Sequence, residues 1–287
     1  MMLITGSNGQ LGRLVIDQLL TRVPASQLIA GVRSLEKGSD FAARGVAVRL
    51  VDYNQPETLA AAMVGVDKLL LISGSEAIGQ RAIQHAAVID AAKAAGVKLI
   101  AYTSLLHADT TQMVLAQDHQ ATERALRDSG VPFTLLRHGW YAENYTGTLG
   151  QVLGAGVMLG AAGEGRVSPA LRADFAEAAA IVLTSEDQAG KIYELAGDDA
   201  LTLTDLAAEI ATVSGAPVRY QDLPQQVLAE TLASFGLPAP FAAILADCDA
   251  AIARGELQDG GGELSRLLGR PTAPFRSAVR AALATNA

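Results

Sequence analysis

The sequence has little cysteine, few aromatic residues and no cluster of basic ones. Cys248 is the single cysteine, which excludes a disulfide framework and a cysteine metal site and is typical of a reducing compartment. Aromatic residues make up 5% of the chain, its net charge is -8, and no basic run occurs, which argues against a nucleic-acid-binding surface. Because Cys248 lies in an apolar, alanine-rich stretch, we expect a buried thiol rather than a reactive one.

Long apolar runs are missing too. The longest apolar strand, residues 69–72, is far shorter than the roughly 20 apolar residues of a membrane-spanning helix. A glycine turn interrupts the first apolar run at once, and no basic segment precedes it, so we expect no secretory signal. These features predict a cytoplasmic protein without membrane insertion. The 287 residues, 50% of them hydrophobic, suffice for one large α/β domain or for a main domain with a smaller partner.

A glycine-rich turn follows the first apolar run directly. Residues 2–5 predict a strand, and residues 6–12 have the spacing G-x-x-G-x-x-G before a helical pattern. A strand that ends at a tight turn and leads into a helix directs backbone N–H groups and the positive end of the helix dipole to one point. We therefore predict that a dinucleotide pyrophosphate binds here. The expected contacts are Gly6, Ser7, Asn8, Gly9, Gln10 and Leu11.

Apolar runs alternate with helical patterns through the first half of the chain. Further strands are predicted at 28–32, 46–50, 68–72, 99–103 and 133–137, and helices at 11–21, 56–63, 82–94 and 115–128. Unbroken apolar strands separated by helices are typical of a parallel sheet that is covered on both faces. With right-handed crossovers they predict a doubly wound, Rossmann-like α/β fold whose ligand lies at the carboxyl ends of the strands.

The pattern changes after about Gly139. The glycine- and alanine-rich residues 154–165 have no helical period and predict a turn and loop. Residues 174–177 have a capping-box pattern that predicts a helix to about residue 184. Strands at 191–195 and 217–220, a helix at 204–214 and helical segments from 225 follow. We therefore expect a Rossmann-like NADP-binding domain, 1–138, and a smaller C-terminal α/β lobe, 139–287, which binds the substrate and has segments that can return to the main sheet.

An arginine stands where dinucleotide-binding proteins usually select their cofactor. NAD-specific sites carry an acidic residue at the end of the second strand, bonded to the ribose 2′-hydroxyl. Here Arg33 occupies that position, roughly 20 residues beyond the glycine loop, and its charged planar fork suits a 2′-phosphate. We predict NADPH as the cofactor; the alternative is a solvated surface arginine. By fold position, Asp52 and Tyr53 flank the adenine, and Ser73, Gly74 and Ser75 approach the adenosine ribose and phosphates.

The tyrosines lack the lysine that a typical short-chain alcohol dehydrogenase carries four residues after its catalytic tyrosine. Those positions hold Glu57, Leu106, Tyr145, Leu149, Gly197 and Pro224. Without this tuned acid, a hydride acceptor should need little general-acid help. A quinone meets the condition because it is already electrophilic and its reduced oxygens can take protons from water. Other conjugated, electron-poor acceptors meet it as well.

Few residues suggest a different chemistry. His119 and Glu123 stand at i, i+4, but no third metal ligand is evident, so we predict a helix-surface contact and no metal. Ser104 has neither the histidine and carboxylate order of a hydrolase nor a nucleophile elbow. The loop at 107–109 fits either a functional position or a local turn, and His85, in mid-helix, is expected to be only structural.

The segment after the sixth strand, residues 136–144, begins where the nicotinamide of a doubly wound protein is expected. Trp140, the only tryptophan, and Tyr141 offer flat, partly polar surfaces that suit an aromatic acceptor. For Trp140, packing between lobes is an equal alternative.

Three segments, residues 4–12, 98–109 and 136–144, together resemble the NmrA-like, atypical short-chain dehydrogenase/reductase family and, within it, the bacterial NADPH-dependent quinone oxidoreductases of type 2. The resemblance extends over the whole chain. It implies a two-lobed fold, NADPH in the cleft and hydride transfer to a quinone without flavin. By matching position it implies that the cofactor is also lined by Arg137, His138, Gly139, Trp140, Tyr141 and Ala142.

His138 stands where the family carries asparagine, and a histidine there can add pH dependence. We expect Tyr141 and Asn144 to be the catalytic polar contacts near the acceptor, and Leu105, Leu106 and Trp140 to shape the substrate pocket. The expected partner is a small-molecule quinone, and the protein is expected to be a monomer or homodimer. Two alternatives stay open: a reductase of other conjugated acceptors such as triphenylmethane dyes, and a non-catalytic NADP(H)-binding redox sensor.

Overall fold

The computed structural model describes residues 1–285. The strands are β1 (Met2–Ile4), β2 (Leu28–Val32), β3 (Ala47–Leu50), β4 (Lys68–Leu71), β5 (Leu99–Leu105), β6 (Phe133–His138), β7 (Val157–Gly160), β8 (Arg166–Val167), β9 (Ile192–Leu195), β10 (Leu201–Thr202) and β11 (Arg219–Asp222). The helices are α1 (Gln10–Leu20), α2 (Ser39–Ala43), α3 (Pro56–Ala62), α4 (Gln80–Ala94), α5 (Ala116–Ser129), α6 (Glu143–Thr146), α7 (Leu149–Ala155), α8 (Arg172–Thr184), α9 (Leu203–Ser214), α10 (Gln225–Ser234), α11 (Ala239–Ala253), α12 (Glu263–Leu268) and α13 (Phe275–Thr285).

A seven-stranded sheet has the order β3-β2-β1-β4-β5-β6-β9. All pairings from β3 to β6 are parallel. The order reverses between β1 and β4, and in a doubly wound sheet this reversal opens a crevice at the carboxyl ends of the strands. The predicted Rossmann-like α/β fold is confirmed, and β2 has the predicted bounds.

The strands of this sheet are buried because helices cover it. Leu3, Leu69 and Ile100 are fully buried and share one cluster with Val88 of α4 and Leu126 of α5. The edge strand β3 is half-buried or exposed along its length. The unbroken apolar runs of the central strands therefore reflect burial on both faces, as expected for parallel strands.

The chain divides into two compact units. Unit 1 comprises Met1–Ala108, Gln117–His138 and Arg172–Tyr193; unit 2 comprises Asp109–Ala116, Gly139–Leu171 and the residues from Glu194 onward. Within unit 1, helix α8 packs on α1. In unit 2, β7 pairs in parallel with β11 and β8 pairs antiparallel with β10. The domain boundary expected at residue 138 stays a prediction.

Two local predictions for the second half are wrong. The stretch 154–165 contains strand β7 rather than only turn and loop, because its partner β11 supplies backbone hydrogen bonds that leave no local pattern. Helix α8 begins at Arg172 rather than after Asp174. Asp174 is an acidic residue of the first helical turn, where the helix dipole also favours a carboxylate, so it imitates a capping residue.

The burial of Cys248 and the length of the apolar helices bear on two further expectations. Cys248 lies buried in α11, which confirms the expected buried thiol, and burial raises its pKa to about 12. Every helix among residues 1–285 is too short or too polar to span a bilayer.

Candidate dinucleotide-binding site

The turn between β1 and α1 requires glycine at two positions. Gly6 has a φ of 59°, a left-handed conformation that other residues rarely adopt. A Cβ atom on Gly12 would lie 2.3 Å from the Gly6 carbonyl oxygen and 2.7 Å from the Ser7 Cα atom. The start of the helix and the turn therefore approach each other as closely as backbone allows, which is the geometry of a phosphate-binding turn.

The first turn of α1 has backbone donors without helical acceptors. No side chain caps this helix, and its first i→i−4 bond is donated by the Arg13 N–H to the Gly9 carbonyl at 3.1 Å. The amides of Gln10, Leu11 and Gly12 precede that bond and have no intrahelical acceptor. Together with the helix dipole they can hold an anion.

The other residues of the loop stabilise the turn itself. The Ser7 N–H donates to the Gly31 carbonyl at 3.1 Å, and the Ser7 hydroxyl donates to the Ile4 carbonyl at 2.7 Å. The Gly9 N–H donates to the Gly6 carbonyl at 2.9 Å. Asn8 Oδ1 lies 3.5 Å from Arg13 Nη2, so a second guanidinium stands beside the loop, which the sequence pattern did not indicate.

Arg33 follows β2 and extends into solvent. Its side chain is 76% exposed, and a carboxylate oxygen of Glu76 lies 3.9 Å from its Nη1 atom, too far for a hydrogen bond. An exposed ion pair of this kind contributes little to the free energy of folding. The planar fork of Arg33 is therefore accessible to a phosphate group.

Tyr53 connects the ends of β1 and β4 through its hydroxyl group. The hydroxyl oxygen lies 2.5 Å from Thr5 Oγ1 and 2.9 Å from the carbonyl oxygen of Ile72. Thr5 Oγ1 also accepts the Ile72 N–H at 3.0 Å. Burial raises the pKa of Tyr53, so its hydroxyl stays protonated. Because the hydroxyl group is engaged, only the ring of Tyr53 is available for a contact with an adenine.

The loop after β4 is held by side chains from three other elements. We define the β4–α4 loop as residues 72–79. Besides the Ile72 N–H, three of its backbone N–H groups donate to buried side-chain acceptors: Ser73 to Thr103 Oγ1 at 2.9 Å, Gly74 to His85 Nε2 at 3.0 Å and Gly79 to Asp118 Oδ1 at 2.9 Å. These amides cannot also bind a phosphate. What the loop can still offer a nucleotide is its hydroxyls, its carbonyls and its other backbone N–H groups, with Ser75 exposed.

Glu123 of α5 accepts hydrogen bonds from polar side chains near the carboxyl ends of β5 and β6. Its carboxylate accepts the Ser104 hydroxyl at 2.7 Å and two nitrogens of Arg137 at 2.9 and 2.8 Å. Burial opposes ionisation of this carboxyl, but the bonds from Arg137 and Ser104 outweigh it and hold the pKa of Glu123 below its usual value. Arg137 is 2% exposed and its guanidinium is paired with Glu123, which does not favour a contact with the cofactor. That contact stays a prediction.

His119 and Glu123 are buried, so the prediction of a helix-surface contact is wrong. His119 Nδ1 lies 2.8 Å from the Tyr102 hydroxyl, and burial lowers the pKa of His119 to about 3. The i, i+4 spacing did not reveal that this face of α5 packs under the sheet. Across residues 1–285, no group of three His, Cys, Asp or Glu side chains is placed to hold a metal ion.

His138 ends β6 in an apolar setting. Its ring stacks on Phe175 with the centroids 4.5 Å apart, and burial lowers the pKa of His138 to about 3. The imidazole is therefore neutral at neutral pH. Any pH dependence that it causes is expected at acidic pH, not near pH 7. Leu105 and Leu106 are buried in unit 1, and the Leu106 N–H donates to the His138 carbonyl at 2.8 Å. Their role in a substrate pocket stays a prediction.

In unit 2, the segment after β6 is held by its backbone. The Gly139 N–H donates to the Leu195 carbonyl at 2.7 Å, and Trp140 and Ala142 exchange backbone bonds with Ala170 at 3.1 and 2.9 Å. The side chains of Trp140 and Tyr141 are half-buried, and Asn144 is exposed. Their roles near a cofactor or acceptor stay predictions.

Four residues that organise this site were missed or undervalued from the sequence. They are side chains of other elements that bond the backbone around the carboxyl ends of β1 and β4: Thr5, His85, Thr103 and Asp118. Thr5 and Thr103 lie in segments that carry the family resemblance but were not singled out there, and His85 and Asp118 belong to no motif. The one available signal was a polar residue within an apolar strand or on an inward helix face.

The strand order, the glycine turn at the first crossover and Arg33 after β2 define a dinucleotide-binding α/β protein. A family model described as NAD(P)H-binding matches residues 6–186, and the chain belongs to this NAD(P)H-binding family. The chain is 52% identical over 279 residues to Quinone oxidoreductase 2 of Escherichia coli (strain K12), with 97% of each chain covered.

Solved structures agree with this grouping. The crystal structure of the NADPH-dependent quinone oxidoreductase QOR2 of Escherichia coli, complexed with NADPH, matches with a TM-score of 0.95 and 51% identity over 99% of this chain and 100% of that one. The triphenylmethane reductase of Citrobacter sp., complexed with NADP(H), matches with a TM-score of 0.93 and 41% identity over 98% and 100% of the two chains.

Proposed function

We propose that this protein is an NADPH-dependent quinone oxidoreductase that transfers hydride directly from NADPH to a quinone, without flavin. The observation that carries the proposal is the similarity along almost the whole chain to an NADPH-dependent quinone oxidoreductase, at 52% sequence identity and a TM-score of 0.95. Such similarity extends over both units and not over the nucleotide-binding half alone.

The residues present fit NADPH. The absence of a Cβ at Gly12 lets the first turn of α1 approach the Gly6 carbonyl, and the amides of Gln10 and Leu11 are available to the pyrophosphate. The exposed guanidinium of Arg33 supplies a positive fork for the 2′-phosphate. When bound, NADPH supplies two electrons and a proton as hydride.

The protein contributes position rather than a strong acid. Hydride transfer to a quinone makes a hydroquinone anion, and one proton from water completes the hydroquinone. We propose Tyr141 and Asn144 as polar contacts of the quinone, with Leu105, Leu106 and Trp140 as its apolar contacts. The segment Arg137–Ala142 is proposed to contact the nicotinamide half of NADPH. Holding two reactants in a productive geometry supplies most of the catalysis in such a reaction.

A second candidate acceptor has its own support. The likeness to the triphenylmethane reductase of Citrobacter sp., at 41% identity, favours a conjugated cationic dye as an alternative hydride acceptor. Both acceptors are electron-poor and aromatic, so one site chemistry serves either. A non-catalytic NADP(H) sensor is the remaining alternative.

An acceptor panel tests the proposal. The purified protein is mixed with NADPH or NADH and with a benzoquinone, a naphthoquinone or a triphenylmethane dye, and loss of the reduced cofactor is followed spectroscopically. We expect rapid NADPH oxidation with a quinone, slower oxidation with NADH, and consumption of one NADPH per quinone. Faster turnover of the dye would favour the second candidate, and saturable NADPH binding with no turnover of any acceptor would favour the sensor.

We further propose that the protein works in the cytoplasm as a monomer or homodimer and needs no metal. Analytical ultracentrifugation of the purified chain tests the oligomeric state. Full activity after exhaustive treatment with a chelator is the expected result for the metal.

A further inference from the structure

The β4–α4 loop is held from beneath by a chain of buried polar side chains. His85 of α4 is fully buried and accepts the Gly74 N–H on Nε2 at 3.0 Å. Its other nitrogen, Nδ1, lies 2.9 Å from Thr122 Oγ1, and the Thr122 hydroxyl donates to the Asp118 carbonyl at 2.7 Å. The Asp118 carboxylate in turn accepts the Gly79 N–H at the far end of the loop, at 2.9 Å.

The bonding partners determine the protonation of His85. A backbone N–H can only donate, so Nε2 must be the unprotonated nitrogen and Nδ1 carries the proton. Nδ1 then donates to Thr122 Oγ1, whose own proton is already committed to the Asp118 carbonyl. Burial, with a smaller effect of the Arg81 charge, lowers the pKa of His85 to about 4, which is consistent with this neutral state.

The imidazole has little freedom to move. The rings of Tyr53 and Tyr102 meet it edge-on, with centroids 6.1 and 5.5 Å from its own. On the loop side, a Cβ atom on Gly74 would lie 3.3 Å from Gln84 Oε1 and 3.8 Å from His85 Nε2, so the Gly74 backbone lies directly on helix α4. The position of Gly74 is thus set by a rigid acceptor.

We propose that His85 is a positioning residue for NADPH: by accepting the Gly74 N–H it holds Ser73 and Ser75 in the conformation that contacts the nucleotide. The inference rests on the proposed NADPH-dependent function and on the predicted contact of Ser73, Gly74 and Ser75 with the nucleotide. Without the acceptor the Gly74 N–H is left unsatisfied in a partly buried setting, and the loop must move to satisfy it.

Three variants separate positioning from simple packing. His85→Leu keeps an apolar side chain but removes the acceptor, whereas His85→Gln retains an acceptor oxygen and a donor for Thr122. His119→Phe is the matched control, because His119 is also a buried histidine of this region but bonds the Tyr102 hydroxyl rather than the loop. Each variant is measured for NADPH dissociation constant, for kcat with a quinone at saturating NADPH, and for thermal unfolding.

We expect His85→Leu to raise the NADPH dissociation constant about 10-fold, the effect of one buried hydrogen-bonding group left unpaired, while kcat at saturation changes less than about 2-fold. His85→Gln should restore the dissociation constant to within about 3-fold of the parent value. His119→Phe should leave it within about 2-fold.

If His85→Leu does not fold, Thr122→Val provides the second test. It removes the acceptor of Nδ1 and leaves the imidazole in place, so a rise of about 3-fold in the NADPH dissociation constant is expected. Equal weakening by His85→Leu and His119→Phe, in proportion to lost thermal stability, would overturn the inference, as would unchanged NADPH binding in both His85→Leu and Thr122→Val. A parent protein that does not bind NADPH would instead defeat the proposed function itself.

Discussion

Arg33 and Glu76 stand beside each other at the position that distinguishes two cofactors. The guanidinium suits a 2′-phosphate, whereas the Glu76 carboxylate, 3.9 Å away, repels one and competes for the same guanidinium. The two side chains are exposed, so their interaction is screened by salt. We therefore propose that cofactor preference depends on a balance between two residues on different loops.

Replacement of Arg33 by alanine tests the attractive partner. The NADPH dissociation constant should rise by about 10-fold or more, because a charge-assisted bond to phosphate is lost, while NADH binding changes little. The salt dependence of NADPH binding should flatten, since the lost contact is ionic. Fluorescence titration at several salt concentrations measures both; unchanged NADPH affinity and salt dependence would contradict the role of Arg33.

Glu76→Gln tests the repulsive partner. Removal of the negative charge should tighten NADPH binding by about 2- to 5-fold at low salt and leave NADH binding unchanged, the size of an exposed charge interaction. Glu230→Gln, an exposed acid of α10, serves as the control for net charge. Weaker NADPH binding in the Glu76 variant would show that this carboxylate supports the nucleotide instead of repelling it.

At the scale of elements, α1 and the turn before it act as one unit. The helix can begin at Gln10 only because Gly12 has no side chain to strike the Gly6 carbonyl oxygen. This close approach also brings the first-turn amides to the anion site. We therefore expect stability and cofactor binding to be coupled in this element.

Gly12→Ala should destabilise the protein by about 1–3 kcal/mol, because a Cβ that approaches backbone atoms forces the turn to shift, and should weaken NADPH binding in the same variant. Gly150→Ala is the matched control: Gly150 lies within helix α7, and a Cβ atom there would have no neighbour within 4 Å, so alanine should stabilise by about 0.5–1 kcal/mol. Urea unfolding and NADPH titration compare the two. A Gly12 variant as stable as its parent would contradict the proposed close contact.

At the scale of the whole molecule, three buried histidines make folding sensitive to acid. Burial lowers the pKa of His85 to about 4 and those of His119 and His138 to about 3, from a usual value of 6.5. Since the unfolded chain binds protons first as the pH falls, the stability that depends on the neutral histidines is fully present above about pH 6.5 and is lost as the pH falls toward about 4 for His85 and about 3 for the other two. Asp249 acts in the opposite sense, because burial raises its pKa to about 6.

We therefore expect the free energy of unfolding to fall between about pH 6.5 and pH 4.5, at roughly 1.4 kcal/mol per pH unit for each histidine and less in sum because Asp249 opposes it. His119→Phe should reduce this slope by about one histidine's share. Urea unfolding across the pH range measures both slopes. A stability that is flat from neutral pH to about pH 4.5 would contradict the buried neutral state of these side chains.

Some elements of the fold could be predicted from local sequence alone. Local periodicity sufficed for β2, α4 and the alternation that makes a parallel sheet, and the glycine turn marked the first crossover. These features are written in residues next to one another, where turn chemistry and burial on both faces leave a direct pattern. The contacts of Tyr141 and Asn144 with an acceptor stay predictions, because no local pattern encodes them.

Local sequence patterns alone encode the doubly wound sheet and the glycine turn between β1 and α1, and they place Arg33 directly after β2. No local pattern encodes the pairing of β7 with β11, the packing of α8 on α1, or the bonds of His85 and Asp118 to the β4–α4 loop, which depend on the folded chain. The reason is physical: a buried N–H must find an acceptor, and which side chain supplies it is settled by packing among residues far apart in sequence.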